Sequence, residues 1–325
     1  MQRRSITLAA LTLALAPLAH AQGQPATAFP DKPVRLIVTY PPGGTVDAVA
    51  RIVSPKLSQI WGQPVVIENR AGGGGLIGAQ AVLSSRADGY TLMVDASNHA
   101  QNPALKKRMP FDTVKEFEAV SLMIKVPNIL VVAPSFPPRT VKELVSYVNA
   151  NPGKVDYASS GNGSSPHLAA ELFTLKTGVK MTHVAYRGGG PAMTDVMAGT
   201  VPVFFASLGS SLPFLQSGRL IPLATAGQTR SAVLPQVPTF AEAGVPGVHM
   251  YEWNAVFAPA GTPPELVSKI SKDIATALND REVRARLIAM GAEVIGSTPK
   301  ELHQFRKDEI SKWTAVGKQA NIALD

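Results

Sequence analysis

Residues 34–47 read VRLIVTYPPGGTVD, and their order decides how the rest of the chain is read. VRLIVTY (34–40) is a continuous apolar run of strand length. Beyond the loop, Val49, Ile52, Val53, Leu57 and Ile60 recur near the helical period. Strand, tight loop and helix therefore follow one another, with Tyr40 at the passage from strand to loop. Pro41 and Pro42 stiffen the exit from the strand, while Gly43 and Gly44 permit positive φ and expose their amides. Thr45 is a candidate N-cap. A helix start of this kind presents unpaired N–H groups and about half a positive charge, so it can hold a small anion without Arg or Lys. An ordinary βα turn that binds nothing has the same composition. Asp47 complicates the anion reading, because its charge in the first helical turn opposes the helix's positive end. Either a water bridges loop and anion, or Asp47 meets a ligand ammonium.

The same unit recurs downstream. Gly62 closes the first helix, and PVVIENR (64–70) is the next strand. Gly73, Gly75 and Gly78 in AGGGGLIG (71–78) satisfy G-x-G-x-x-G, with Asp95 near the distance of a ribose-binding acid; this is the rival, nucleotide-binding signal. A helix over 79–85 leads to the strand TLMVD (91–95) and a polar loop, ASNHAQNP (96–103). Loops at strand carboxyl ends are where open α/β sheets place ligands, so Ser97, Asn98 and His99 are candidate neutral donors or plain caps. The apolar run 119–133 is interrupted by Lys125 and Pro127, where one lobe can end. Thr140 with Glu143 forms a capping box.

KVDYAS (154–159) then delivers the second stretch of interest, the Ser/Gly loop SSGNGSS (159–165), with Ser165 as cap and Pro166 at the first helical position. Two such loops from opposite lobes would make a clamp. Each adds about 0.3 to 2 kcal/mol of dipole stabilisation for a carboxylate. His167 and Glu171 lie four apart but lack a third metal ligand at sensible spacing. Ser164 with His167 lacks the G-x-S-x-G elbow of a hydrolase. YRGGGP (186–191) opens a third unit, in which Arg187 pairs with an anionic ligand or bridges lobes. YEWNAVFAPAG (251–261) reads as a return crossing, and Thr262/Glu265 and Thr298/Glu301 as capping boxes of a helical C-terminus packed on the first lobe.

Composition narrows the function. The 325 residues carry a net charge of +8 and no cysteine, which excludes a disulfide framework, a thiolate metal site and a cysteine nucleophile. Residues 1–21 have Arg3 and Arg4, an apolar stretch and Ala19-His20-Ala21, the pattern of an export signal cut after Ala21. The general secretory route fits these residues better than twin-arginine export. Removing the two arginines takes the charge from +8 to +6. No run of five or six Lys/Arg occurs, which argues against nucleic acid. A mild positive field suits small anions.

The strings VRLIVTYPPGGTVDAVAR (34–51), GQPVVIENRAGGGG (62–75), ADGYTL (87–92), YASSGNGSSPHLAAELF (157–173), HVAYRGGGPA (183–192), LPQVPTFAEAGVPG (234–247) and APAGTP (258–263) occur in one order. Together they closely resemble the Bug (TctC-like) family, periplasmic substrate-binding proteins of tripartite tricarboxylate transporters. The resemblance runs from about Phe29 to the C-terminus. It implies an α/β fold of the periplasmic binding protein type II class, a two-lobed Venus flytrap with a ligand cleft between the lobes. Residues 22–127 plus 252–325 would form lobe 1, and 128–251 lobe 2. It implies that one carboxylate is held by amides and waters from Pro42, Gly43, Gly44, Thr45 and Asp47, and from Ser160, Gly161, Gly163 and Ser164, with His167 beneath. Ser97, Asn98, Ala206 and Ser207 are nominated to meet the ligand's distal group. Thr39 and Arg187 depart from the family's usual proline and lysine. The expectation is a monomeric, exported receptor without cofactor, delivering a small carboxylate to membrane transporter subunits. The alternative is an exported enzyme, an NAD-dependent oxidoreductase or a hydrolase, using the glycine-rich loops.

Overall fold

The computed structural model describes residues 29–186, 188–319 and 322; the expected export segment, 1–21, and Arg187 lie outside the described residues. β1 (Val34–Val38) is buried at every position but Arg35, as a strand covered on both faces requires. α1 (Thr45–Trp61) buries Val46, Val49, Val53 and Leu57 on one stripe and stops at Gly62, whose φ of 63° is left-handed. β2 (Val65–Asn69) and α2 (Leu76–Leu83) follow, then β3 (Thr91–Ala96), which is wholly buried. Next come α3 (Asn98–Leu105), the sixteen-residue β4 (Phe117–Val132), α4 (Val141–Ala150), β5 (Asp156–Ser159) and α5 (Ser165–Thr177). β6 (Thr182–Ala185), α6 (Gly189–Ala198), β7 (Val203–Ser207), α7 (Leu208–Gln216) and β8 (Ile221–Thr225) complete the middle of the chain. The return crossing is β9 (Tyr251–Pro259), followed by α8 (Pro264–Asn279), α9 (Arg281–Ala289), β10 (Glu293–Val294) and α10 (Pro299–Gln319).

Among the described residues the strands form one sheet in the order β2-β1-β3-β9-β4-β7-β5-β6, with β8 and β10 also on β4. Its two ends are parallel sets, β2-β1-β3 and β7-β5-β6, and each set is interleaved with helices. Antiparallel β4 and β9 join them. β4 pairs with β9 as far as Pro127↔Tyr251, then with β7 from Asn128↔Ser207 onward. Proline cannot donate to a ladder, and it sits where one partner gives way to the next. Register shifts at Ala119/Ser121, Leu122/Ile124 and Leu130/Val131 bend the strand as it passes between halves. The product is a mixed α/β, two-lobed fold in which two strands cross between lobes.

Several local expectations need correction. Residues 98–105 are helix α3, not loop, because His99, Ala100, Gln101 and Asn102 are buried against the fold; tertiary packing overrides a polar, weakly periodic sequence. The caps of α1 and α5 are Gly44 and Ser164, one residue before the expected Thr45 and Ser165. Thr298 and Glu301 do form a reciprocal box, with amide-to-side-chain distances of 2.8 and 3.3 Å. Thr262 does not, because its hydroxyl donates instead to Pro259 O over 2.7 Å. α10 packs on the first half: Leu302 and Trp313 are fully buried, and the buried Arg306 donates to Thr113 O and Phe117 O over 2.6 and 3.1 Å.

Candidate functional site

The loops after β1 and β5 approach each other across a cavity of about 420 Å³, a usual volume for a small-molecule site. The first half contributes Tyr40, Pro42, Gly44, Thr45 and Asn98 to its wall, and the second Ser160 and Ser164. These seven were singled out from sequence, and the fold brings them together. Gly188 and Gly189, at the head of α6, and Glu252 of β9 also line it. Among the described residues no Lys or Arg lines the cavity.

Of the other nominated residues, those the structure describes do not line the cavity, and several have roles that follow from hydrogen bonding. The Gly43 amide donates to Asp47 Oδ2 over 2.9 Å. Asp47 is buried and also accepts from Arg51 Nε and Asn69 Nδ2, each at 2.9 Å. Burial raises the Asp47 carboxyl, but the bonds from Arg51, Gly43 and Asn69 together outweigh it and hold the group below its ordinary range. Asp47 thus closes the first loop and braces it to β2. The second loop has a matching brace: the Gly163 amide donates to His167 Nδ1 over 3.1 Å, and the Gly161 amide to Ser159 Oγ over 3.1 Å. Ser164 Oγ donates to Gly161 O over 2.7 Å and accepts from the His167 amide at 3.4 Å.

These bonds revise which amides are free. The amides of Gly43, Gly161 and Gly163 are used inside the loops, whereas α1 begins at Gly44 with no side-chain cap. Its first-turn N–H groups have no intrahelical partner by construction, and Thr45 and Val46 of that turn line the cavity. An anion is therefore offered the start of α1, with the glycines shaping the approach. Gly43 at φ 86° and Gly161 at φ 122° adopt backbone that a side chain disfavours.

Ser97 is buried where β3 meets β9, accepting from Trp253 N over 2.9 Å, and it is off the cavity wall. Ala206 is fully buried. Ser207 is off the wall too, but its hydroxyl approaches the Glu252 carboxyl without a full hydrogen bond, leaving a buried Oγ unpaired. Tyr40 donates its phenol to Asn98 Oδ1 over 2.8 Å. Burial raises the Tyr40 phenol well above its ordinary value, with the charges of Asp95 and Glu252 adding to the effect.

Behind the second loop, His167 and His183 stack with ring centroids 4.1 Å apart. Burial lowers both to about 4, and the neighbouring His167 adds to the effect on His183. Ser164 Oγ is bonded to backbone and not to the imidazole, and His167 Nε2 stands 3.8 Å from Glu171. Asp95, the candidate ribose acid, is buried and engaged by Thr39 Oγ1, the Ala96 amide and His99 Nδ1 at 2.7, 2.9 and 3.1 Å. A Cβ on Gly75 would stand 2.9 Å from Asp95 Oδ1, so that glycine serves close packing. Glu252 was missed from sequence; the signal was an acid at the start of a largely apolar crossing strand.

The chain matches the family described as Tripartite tricarboxylate transporter family receptor, TctC, over residues 49–322. Protein BugT of Bordetella pertussis is 36% identical over 301 residues, covering 92% of this chain and 92% of that protein. Among solved structures, R. palustris Rpa4515 with adipate is 38% identical with a TM-score of 0.84, covering 91% of this chain and 99% of that one. MatC from Rhodopseudomonas palustris, solved with bound malate, is 33% identical with a TM-score of 0.80, covering 89% and 99%. On the two-lobed fold and these matches, the chain belongs to the TctC family of periplasmic receptors, to which the Bug proteins also belong.

Proposed function

We propose that this chain is exported to the periplasm, where it captures a small organic carboxylate between its lobes and delivers it to the membrane subunits of a tripartite tricarboxylate transporter. The observation that carries the reading is the meeting of two glycine-rich loops from opposite halves at one cavity, with the uncapped start of α1 on its wall. Partial positive charge and unpaired N–H groups then replace a basic side chain as the anion's partner. The neighbours' adipate and malate point to the same ligand class.

The lobe boundaries proposed are 22–127 plus 252–325 and 128–251. The exchange of partners along β4 at Pro127/Asn128, opposite Tyr251, supports them. Contacts made by both lobes at once favour the closed arrangement, and closure is what a membrane partner reads. Ligand leaves chemically unchanged.

A thermal-shift screen of mono-, di- and tricarboxylates, followed by calorimetry and by NMR of the recovered ligand, tests this. At about a hundredfold excess over Kd the bound ligand adds about 2.7 kcal/mol of stability. Stoichiometric binding of an unaltered carboxylate supports the receptor. Turnover of the ligand, or stabilisation by dinucleotides alone, would sink it.

A further inference from the structure

Glu252 is an acid in a cavity meant for an anion. It stands on β9 opposite Val126 of β4, one residue from the point where β4 exchanges partners. It lines the cavity, and the hydroxyls that approach it come from different halves: Thr45 at the start of α1 and Ser207 at the end of β7. An ionised carboxylate here repels a second negative charge in a low-dielectric site, where the cost is far higher than in water.

Among the described residues, the surrounding groups offer no compensating cation. Tyr40, from the end of β1, is neutral and commits its proton to Asn98. Asp47 of α1 is engaged by Gly43, Arg51 and Asn69. Asp95 of β3 is engaged by Thr39 and His99. Lys125 of β4 directs its ammonium over the Phe305 ring, 4.5 Å from the centroid, toward α10. From the second half, Ser160 and Ser164 are neutral, and His167 holds its Nδ1 lone pair toward the Gly163 amide. Burial raises the Glu252 carboxyl above its ordinary range, while Ser207 and Thr45 pull the other way.

We propose that Glu252 selects what a ligand carries beyond its clamped carboxylate: a hydrogen-bond donor, either on the ligand itself or, for a dianion, supplied by one proton taken from solvent. A hydroxyl, amide or ammonium group donates directly to the ionised Glu252. A distal carboxylate cannot, so the incoming proton rests between the two carboxyls as a single O–H···O bond, and nothing else is transferred. Proton uptake then accompanies every dianion bound. This rests on the carboxylate-receptor reading above.

The test is calorimetry of the mature chain from pH 5.5 to 8.5, in buffers of different ionisation enthalpy, with adipate, its monoamide and 6-hydroxyhexanoate. At pH 8 adipate binds at least tenfold more weakly than its monoamide. The gap closes toward pH 5.5, and at the alkaline end of the range, where Glu252 of the free protein is ionised, uptake approaches one proton and the change approaches tenfold per pH unit. The monoamide and hydroxy acid take up no proton and lack adipate's gain in affinity toward acid. Glu252→Gln abolishes adipate's proton uptake and its pH slope. Equal affinity of adipate and monoamide at pH 8, a flat adipate profile, or a slope retained by Glu252→Gln overturns the proposal. If Glu252→Gln does not fold, the proton count on the unmodified protein decides. If none of the three acids binds and no other carboxylate does, it is the receptor reading itself that fails.

Discussion

The Gly43 amide donates to the carboxylate of Asp47, so the first glycine loop is latched by the helix it precedes. Asp47→Ala leaves that amide and Asn69 without their acceptor. The expected cost is about 1 to 3 kcal/mol in urea melts, together with weakened carboxylate binding. The pH dependence has a definite sign. A carboxyl held below its unfolded value stabilises the protein above about pH 3.9, and the contribution is lost as pH falls through the folded value. The stability gap between the native protein and Asp47→Ala should therefore shrink in strong acid; a gap that widens contradicts the latch.

Gly161 and Gly43 both have left-handed φ but differ in surroundings. A Cβ on Gly161 would stand 3.3 Å from Tyr186 O, whereas one on Gly43 meets nothing within 4 Å. Gly161→Val is expected to lose more than tenfold in ligand affinity, from strain and crowding together. Gly43→Val carries the strain alone, about 1 to 2 kcal/mol, and Gly43→Asn, which tolerates this backbone, stays within threefold of the native affinity. Titration calorimetry of the three variants separates the effects.

His167 accepts from the Gly163 amide only while Nδ1 keeps its lone pair. With His167 and His183 both at about 4 in the folded chain and about 6.5 unfolded, their contribution is complete above about pH 6.5 and is lost as pH falls toward 4. For His167 this amounts to about 3 kcal/mol at most. A melting-temperature profile should fall over that window, and His167→Gln should flatten it.

Tyr40 and Asn98 form one hydrogen-bonded unit on the cavity wall. Tyr40→Phe removes a bond worth about 1 kcal/mol, or roughly fivefold in affinity if the pair orients ligand. Asn98→Ala should cost a similar amount, and the double variant little more than either single one. Additive losses would show that the two act independently.

The strand-loop-helix units were legible because each depends on local properties: a continuous apolar run, glycines at the turn, then a helical stripe. Gly62 at φ 63° and the Thr298/Glu301 box are read from a few adjacent residues, and both are present. The meeting of the loops after β1 and β5 was inferred from resemblance and repetition, and the cavity joins them. α3 was not legible, because its polar residues become helical through burial on the rest of the fold.

By itself the sequence determined the repeated strand-loop-helix units, the two glycine-rich turns and the family, since these rest on neighbouring residues and their spacing. The tertiary structure alone decided how the glycine amides are used, with those of Gly43, Gly161 and Gly163 spent on Asp47, Ser159 and His167. It also decided that Glu252 faces the cavity beside Thr45 and Ser207. The reason is physical: a strand's register sets which side chains turn toward a cleft, and that register is fixed by pairing between segments far apart in the chain.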